Sequence, residues 1–358
     1  MTRNNIITLA ALVSLFSGCS SVTREDFQEP YSTHLEEIIA YASLAGNTHN
    51  TQPWYVVAES DSVIHIQADF TRKLHIVDPD ARGIFISLGA FIDNLLLAAE
   101  SFGYNTQLII HAESNKDSIV ATIHLSRGNA GKDYLEKIRS RRTMRIPFLT
   151  HDISSEHAES ITGDAPRQVH FFTASSDEGK FIAQQTLAAY TQQANDEQAK
   201  QELASWIRFS NSDVKEHRDG LTTAGMGITG FGGFIVRNFY NPEDAMKESF
   251  VSKGIENTKE QVEHCGGWLV IVQEEDTPAS WIETGRIYNR MNMNCRELMV
   301  GFHPMNQVIE EENFTDTVVS RLGLQGRIQF VARIGYVDEY PPANSVRRAV
   351  KEIIRYKK

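Results

Sequence analysis

The sequence predicts an α+β protein made of two similar halves, with a further segment inserted into the second, and three observations carry that prediction. A long helical pattern that stops at a Gly-aromatic pair and is followed by two strand-like runs occurs twice, once at 83–125 and again at 281–334. A Gln/Ala/Glu-rich stretch and the glycine cluster DGLTTAGMGITGFGG at 219–233 match neither half. The chain has 358 residues, 41% hydrophobic and 23% charged, which is enough to bury a core in each half.

The N-terminus stands apart. Arg3 supplies a positive charge, Ile6 to Phe16 an apolar run too short for a ~20-residue span, and Ser17-Gly18-Cys19 a small-residue site. Residues 1–18 therefore read as a signal peptide. The run Leu15-Phe16-Ser17-Gly18-Cys19 resembles the bacterial lipobox, although Phe16 stands where Leu is usual. That resemblance implies lipidation of Cys19 and a cell-envelope lipoprotein on the periplasmic or another extracytoplasmic face. Ser20 leaves outer-membrane sorting open. Residues 19–33 are polar and aperiodic, as in a tether, and the fold is expected to begin near His34.

The first half, 34–130, opens with Leu35, Ile38, Ile39 and Ala42 at helical spacing. Trp54 to Val57 and Val63 to Ile66 follow as two strands around a turn. Apolar residues wrap most of the next helix, about Gly83 to Ser101, so it is expected to be buried on nearly all sides and to stop at Gly103. Thr106 to His111 and Ile119 to Leu125 read as strands. The second half, 131–358, starts with a helix at about Asp133 to Arg139. Its late helix, Trp281 to Val300, stops at Gly301-Phe302 and pairs Asn292-Met293-Asn294 with Asn94-Leu95-Leu96. Strands are expected at Gln307 to Ile309 and Ile328 to Ile334. The inserted piece, a helix over Glu178 to Trp206 and then the glycines, reads as a lid at about 200–240. A phosphate loop is excluded because no G-K-[ST] follows the glycines.

Charge and metal-ligand patterns narrow the function. A net charge of −11 gives no footprint for binding DNA or RNA. The twelve histidines form no H-E-x-x-H and no Cys/His cluster, so no metal is expected. Cys265 and Cys295 are either a bridge or two buried free thiols.

Arg141-Arg142-Thr143-Met144-Arg145 sets guanidinium groups four residues apart beside a hydroxyl, which suits a phosphate at one end and an electron-rich ring at the other. RRTMRIPF resembles the box that opens nitroreductase-family proteins, and LAGNTHNTQPW at 44–54 resembles that family's Asn-x-Gln-Pro-Trp segment. Arg333-Ile334-Gly335-Tyr336 and SVRRAVKEII resemble its C-terminal elements, with Val346 in place of a proline. The order, HNTQPW before RRTMR, together with DPDARGIFISLGA at 78–90, is similar to the Acg-like subfamily.

The resemblance implies an FMN-dependent nitroreductase-like fold, with two half-subunits fused as an intramolecular pseudo-dimer, a single FMN per chain and a monomer. It implies FMN phosphate contacts from Arg141, Arg142 and Thr143, and Arg145 near N1 and O2 of the ring as the residue central to catalysis. Asn47, Thr48 and Asn50 would approach from the other half, Met305 and Asn306 would lie near N5, and Arg347 or Arg348, the latter better aligned, would reach the phosphate. Trp54 and Gln52 read as structural. The implied activity is transfer of two electrons to a nitroaromatic or quinone acceptor. The alternative is a protein that sequesters or stores FMN under its lid with little turnover.

Overall fold

In a computed structural model of the chain, residues 21–357 are described apart from 28, 29, 130, 164 and 166; residues 1–18, expected as a signal peptide, and Cys19 lie outside the described residues. Thr33 caps α1 (His34–Ser43) by accepting from the Glu36 amide, and Leu35, Ile38, Ile39 and Ala42 form its buried face. β1 (Trp54–Ser60) and β2 (Val63–Ala68) alternate buried and half-buried residues, because one face of their sheet meets the core and the other faces solvent. Trp54 is buried against Phe91, ring centroids 4.8 Å apart. α2 (Arg82–Ser101) buries fifteen of its twenty residues. It is long and apolar enough to cross a membrane, yet its apolar stretch is 83% buried inside the protein, as in a core helix. Gly103, at φ +78°, turns the chain into β3 (Tyr104–Ile110). β4 (Ile119–Arg127) completes the first half, and α3 (Leu135–Ser140) starts the second.

The second half continues with α4 (Ser155–Thr162) and β5 (Val169–Thr173). There the chain departs into an insertion of α5 (Asp177–Asn195), α6 (Glu197–Trp206), β6 (Ile207–Arg208), α7 (Asn211–His217), β7 (Leu221–Thr222), α8 (Gly230–Phe239) and α9 (Glu248–Glu263). It returns as β8 (Gly267–Gln273), α10 (Pro278–Glu297), β9 (Val300–Pro304), α11 (Gln307–Glu310), α12 (Glu312–Leu322), β10 (Arg327–Tyr336), α13 (Val350–Ile353) and β11 (Ile354–Tyr356). The segment expected as one helix over 178–206 is two, because Asp196 breaks it and caps α6 by accepting from the Ala199 amide at 2.7 Å.

The two halves share one topology. The first sheet runs β1-β2-β4-β3 and the second β5-β8-β10-β9, antiparallel at every step. β11, from the end of the second half, adds in parallel to β1 of the first. α2 and α10 cross at the centre, where a Cβ on Gly89 would overlap the Ile282 carbonyl and one on Gly285 the Ile86 carbonyl. The reciprocal contact is what a pseudo-twofold between the helices requires, and Asp93, which accepts from Asn289 196 positions later, keeps the same register.

That register corrects the sequence alignment of the repeat. The counterpart of Gly103 is Met299, also left-handed at φ +54°, so α10 ends by Glu297, and Gly301-Phe302 belongs to β9. Gln307 to Ile309 form a helix, not a strand. The Asn306 side chain accepts from Val331 N and its carbonyl from Ile309 and Glu310 N, which turns the chain out of the sheet.

β8 is buried on both faces, unlike β2, because α10 covers one side and the insertion the other. Leu269 and Ile271 join the core of the helix pair, and Trp268, Val270 and Val272 a second core with Ile182, Ala189 and Val262. Cys295 lies in the first core and Cys265 in the second; both are free. Residues 21–27, read as tether, are docked. Val22 is buried with Val214 and Val346, and Phe27 packs on that cluster and lies under Arg218.

Candidate functional site

Three segments distant in sequence meet between the halves. The first is the loop from α1 to β1, where His49, Asn50 and Gln52 all adopt left-handed backbone at φ +49°, +55° and +53°. Such strain persists only where surroundings enforce it. Asn47 accepts from Gln52 N at 2.8 Å, and Asn50 donates to the carbonyls of Gly220 and Val346 at 3.1 and 3.2 Å. Gly46 has no space for a side chain, since a Cβ there would overlap the Tyr288 hydroxyl.

The second segment is 141–149, pinned along its length. Met144 N donates to Phe302 O, Phe148 N to His264 O and Leu149 N to Tyr336 O. Arg333, fully buried in β10, donates to Ile146 O at 2.6 Å and lies 4.1 Å over the Phe148 ring. Arg333 and Gly335 thus serve to place the arginine box, since a Cβ on Gly335 would strike Phe148.

The third segment, 218–228 of the insertion, covers the other two. Gly220 N donates to Asn50 O, Arg145 to Gly225 O at 2.8 Å, and Gln52 to Arg218 O at 2.9 Å. Asp219 holds this cover down through ion pairs of 2.8 Å to Arg72 and Arg208. The glycine cluster read as a lid therefore touches the arginine box directly.

Two joined cavities result. One is lined by Arg24, Arg141, Arg142, Arg145 and Arg347 with Thr143, Asn47 and Asn50, and no carboxylate lines it. The other shares Gly46, Asn47, Thr143 and Arg145 with the first and continues past Thr48, Ile86, Tyr288, Phe330 and Asn306. Arg145 stands at the junction. Burial lowers its pKa to about 10, opposed by Tyr288 and reinforced by Arg142, so it stays cationic at neutral pH. Burial, with Arg141 and Arg24 adding to it, lowers Arg347 to about 9. The Nε atoms of Arg141 and Arg142 are buried without a protein partner. Arg24 is paired with Glu25 at 3.7 Å, but no carboxylate lines the cavity beside Arg141, Arg142 and Arg145, and buried cations with unmet N–H groups form a site for an anion.

The predicted residues divide. Arg141, Arg142, Thr143, Arg145, Asn47, Thr48, Asn50, Asn306 and Arg347 line the cavities. Arg347 spends its donors on Asn50 and on the carbonyls of Ser43, Leu44, Ala45 and Val346, which makes it a tie beneath the pocket wall. Met305 is buried in the second core with its amide on Val331 O, so it does not reach the site. Arg348, expected to be the better aligned of the pair, points away to Gln52 O, to Asp69 and over the Tyr55 ring. Gln52 has the structural role expected of it, accepting from Arg348 N.

Sequence reasoning missed Arg24, Tyr288, Ile86, Phe330, Asp78 and Glu310, all at the cavities. Asp78 carried a signal inside DPDARG, being set ahead of a helix, where it accepts from Gly83 N at 3.0 Å. Burial raises its pKa to about 7 despite that bond, and burial also raises Glu310. His49 is held neutral, its pKa lowered to about 4 by burial and by Arg145. Among the described residues no cluster of His, Cys, Asp or Glu is arranged to hold a metal ion.

No family model matches the chain. It is similar to "Putative NAD(P)H nitroreductase acg" of Mycobacterium tuberculosis strain H37Rv, with 22% identity covering 89% of this chain and 94% of that one. It is also similar to an uncharacterized protein of the same strain, with 21% identity covering 90% of this chain and 92% of that one. Among solved structures, the FMN-dependent nitroreductase NfnB from Mycobacterium smegmatis in complex with NADPH gives 14% identity and a TM-score of 0.38, over 62% of this chain and 97% of that one. A nitroreductase with bound FMN from Desulfitobacterium hafniense gives 13% identity and a TM-score of 0.37, over 64% and 100%.

Proposed function

We propose that the chain is an FMN-binding oxidoreductase of the nitroreductase-like, Acg-like kind, its two halves acting as a fused pseudo-dimer around one FMN. The observation that carries this reading is the five-arginine cavity opening through Arg145 into one walled by Ile86, Tyr288 and Phe330. The charge of the first suits a phosphate, and the aromatic and aliphatic walls of the second suit one face of a planar ring. Similarity along nine-tenths of the chain to a protein named as a nitroreductase supports it.

Arg141 and Arg142 would hold the phosphate through their unmet N–H groups. When bound, FMN supplies two-electron chemistry that can pass reducing equivalents to a nitro or quinone-type acceptor. Arg145 supplies a fixed positive charge in a dry pocket, where it stabilises negative charge on a ring more than it would in water. Residues 220–225 keep water out.

That cover favours a second reading, an FMN-sequestering or storage protein, because Gly225 O sits on Arg145 and Gly220 is bonded to Asn50. Both readings predict a yellow protein on purification, and a colourless one that takes up no added FMN would end both. Anaerobic NADPH separates them: bleaching supports the reductase, and a flavin that stays oxidised supports sequestration. The exported, lipidated state of Cys19 is part of this proposal, and palmitate labelling that is lost in Cys19→Ser tests it.

A further inference from the structure

α8 is built inside out. Its Arg237 is buried and donates to the Ser21 hydroxyl at 2.8 Å, whereas Phe231 is 79% and Phe239 69% exposed. Phe231, Phe234, Ile235 and Phe239 share one side of the helix, and their rings touch each other, Phe231 with Phe234 at 6.4 Å and Phe234 with Phe239 at 6.5 Å between centroids. Tyr240, next along, is also exposed. A cluster of three phenylalanines, two of them exposed and Phe234 half-buried between them, is unfavourable on a soluble surface and is what a helix lying in a bilayer interface presents.

The occupant follows from where the described chain begins. Ser21 is bonded to the buried side of α8, and Cys19 is two residues earlier, within about 7 Å of Ser21 along even an extended backbone. A diacylated Cys19 would therefore hold the lipid surface within a few residues' reach of α8. We infer that α8 seats in the lipid surface to which Cys19 is anchored, with Phe231, Phe234 and Phe239 inserted among the acyl chains. This rests on the lipidated reading of Cys19. Because α8 begins five residues after Gly225, which sits on Arg145, the seat also fixes the cover of the site relative to the membrane.

The test uses the full chain carrying Phe231→Trp, expressed with its own leader, labelled with palmitate and reconstituted in phosphatidylethanolamine/phosphatidylglycerol vesicles with brominated acyl chains. The emission gained over wild type is expected to be quenched by the bromines, and Phe234→Ser with Phe239→Ser is expected to relieve that quenching while circular dichroism stays unchanged. Quenching without palmitate label would remove the lipobox reading and keep the seat. Label without quenching, with the new tryptophan open to aqueous acrylamide, overturns the seat. So does a dimer in detergent that Phe231→Ser abolishes, since the face would then be covered by a second copy.

Discussion

The two ends of the central helix pair are both lined by cations and differ in how those cations are paired. At one end the loop before β1 meets Arg141, Arg142 and Arg145, and no carboxylate lines their cavity. At the other end the equivalent loop, with Thr162, Gly163 and Ala165, meets Glu283, Arg286 and Arg290 of α10. There Arg286 is paired with Glu283 at 2.8 Å and Arg290 with Asp93 at 2.9 Å. The difference teaches that duplicated architecture supplies two cationic pockets, while counter-charges meet Lys137, Arg286 and Arg290 in the second and no carboxylate lines the cavity of Arg141, Arg142 and Arg145 in the first. The connection between the first two strands of each sheet is equally asymmetric. It is Asp61-Ser62 in the first half and residues 174–266 in the second, and the longer one supplies the cover.

The largest expected effect is on the ligand. Arg141→Ala should weaken FMN binding on the order of a hundredfold, the loss of a charge-assisted contact of about 2–3 kcal/mol, measured by fluorescence titration. Arg145→Ala should lower the midpoint potential of bound flavin more than its affinity. Arg286→Gln, in the opposite pocket, should change neither; if it lowers affinity as Arg141→Ala does, the two ends are not distinguished by charge.

Next is the helix crossing. Gly89→Ala and Gly285→Ala each force a Cβ onto a backbone carbonyl and should each cost about 2–3 kcal/mol in urea unfolding. A large difference between the two would break the pseudo-twofold.

The pH dependence follows. Asp78 has a folded pKa raised to about 7 against 3.8 unfolded, so its contribution is full below about pH 4 and is lost as pH rises toward 7. Between pH 5 and 7 that loss should be about 2 kcal/mol. Asp78→Asn should flatten the slope. The smallest effect is Met299→Gly, which relieves a left-handed methionine where the first half already has Gly103 and should raise stability by about 1 kcal/mol.

Periodicity made the elements of the first half readable within three residues, because most of them have a single buried face or are buried all round. The second half was read less well. α11 looked like a strand since Val308 and Ile309 are β-formers, and only the Asn306 side chain on Val331 N turns it. The repeat was aligned on Gly301 because a glycine is the usual left-handed stop, and nothing in the sequence marks Met299 as left-handed.

Of the candidate site, the sequence by itself determined which residues could meet an anion: the Arg141–Arg145 box and the Asn47–Asn50 loop are local patterns whose spacing is fixed by the chain. Tertiary structure decided which of them do. Arg347 and Arg348 are neighbours of identical type, and the burial of one under the Ser43–Ala45 carbonyls and the turning of the other toward Gln52 and Asp69 depend on contacts about 300 residues away. The same holds for Tyr288 and Phe330, apolar core residues by pattern, which wall a cavity only because two helices cross tightly at Gly89 and Gly285 and bring the halves together.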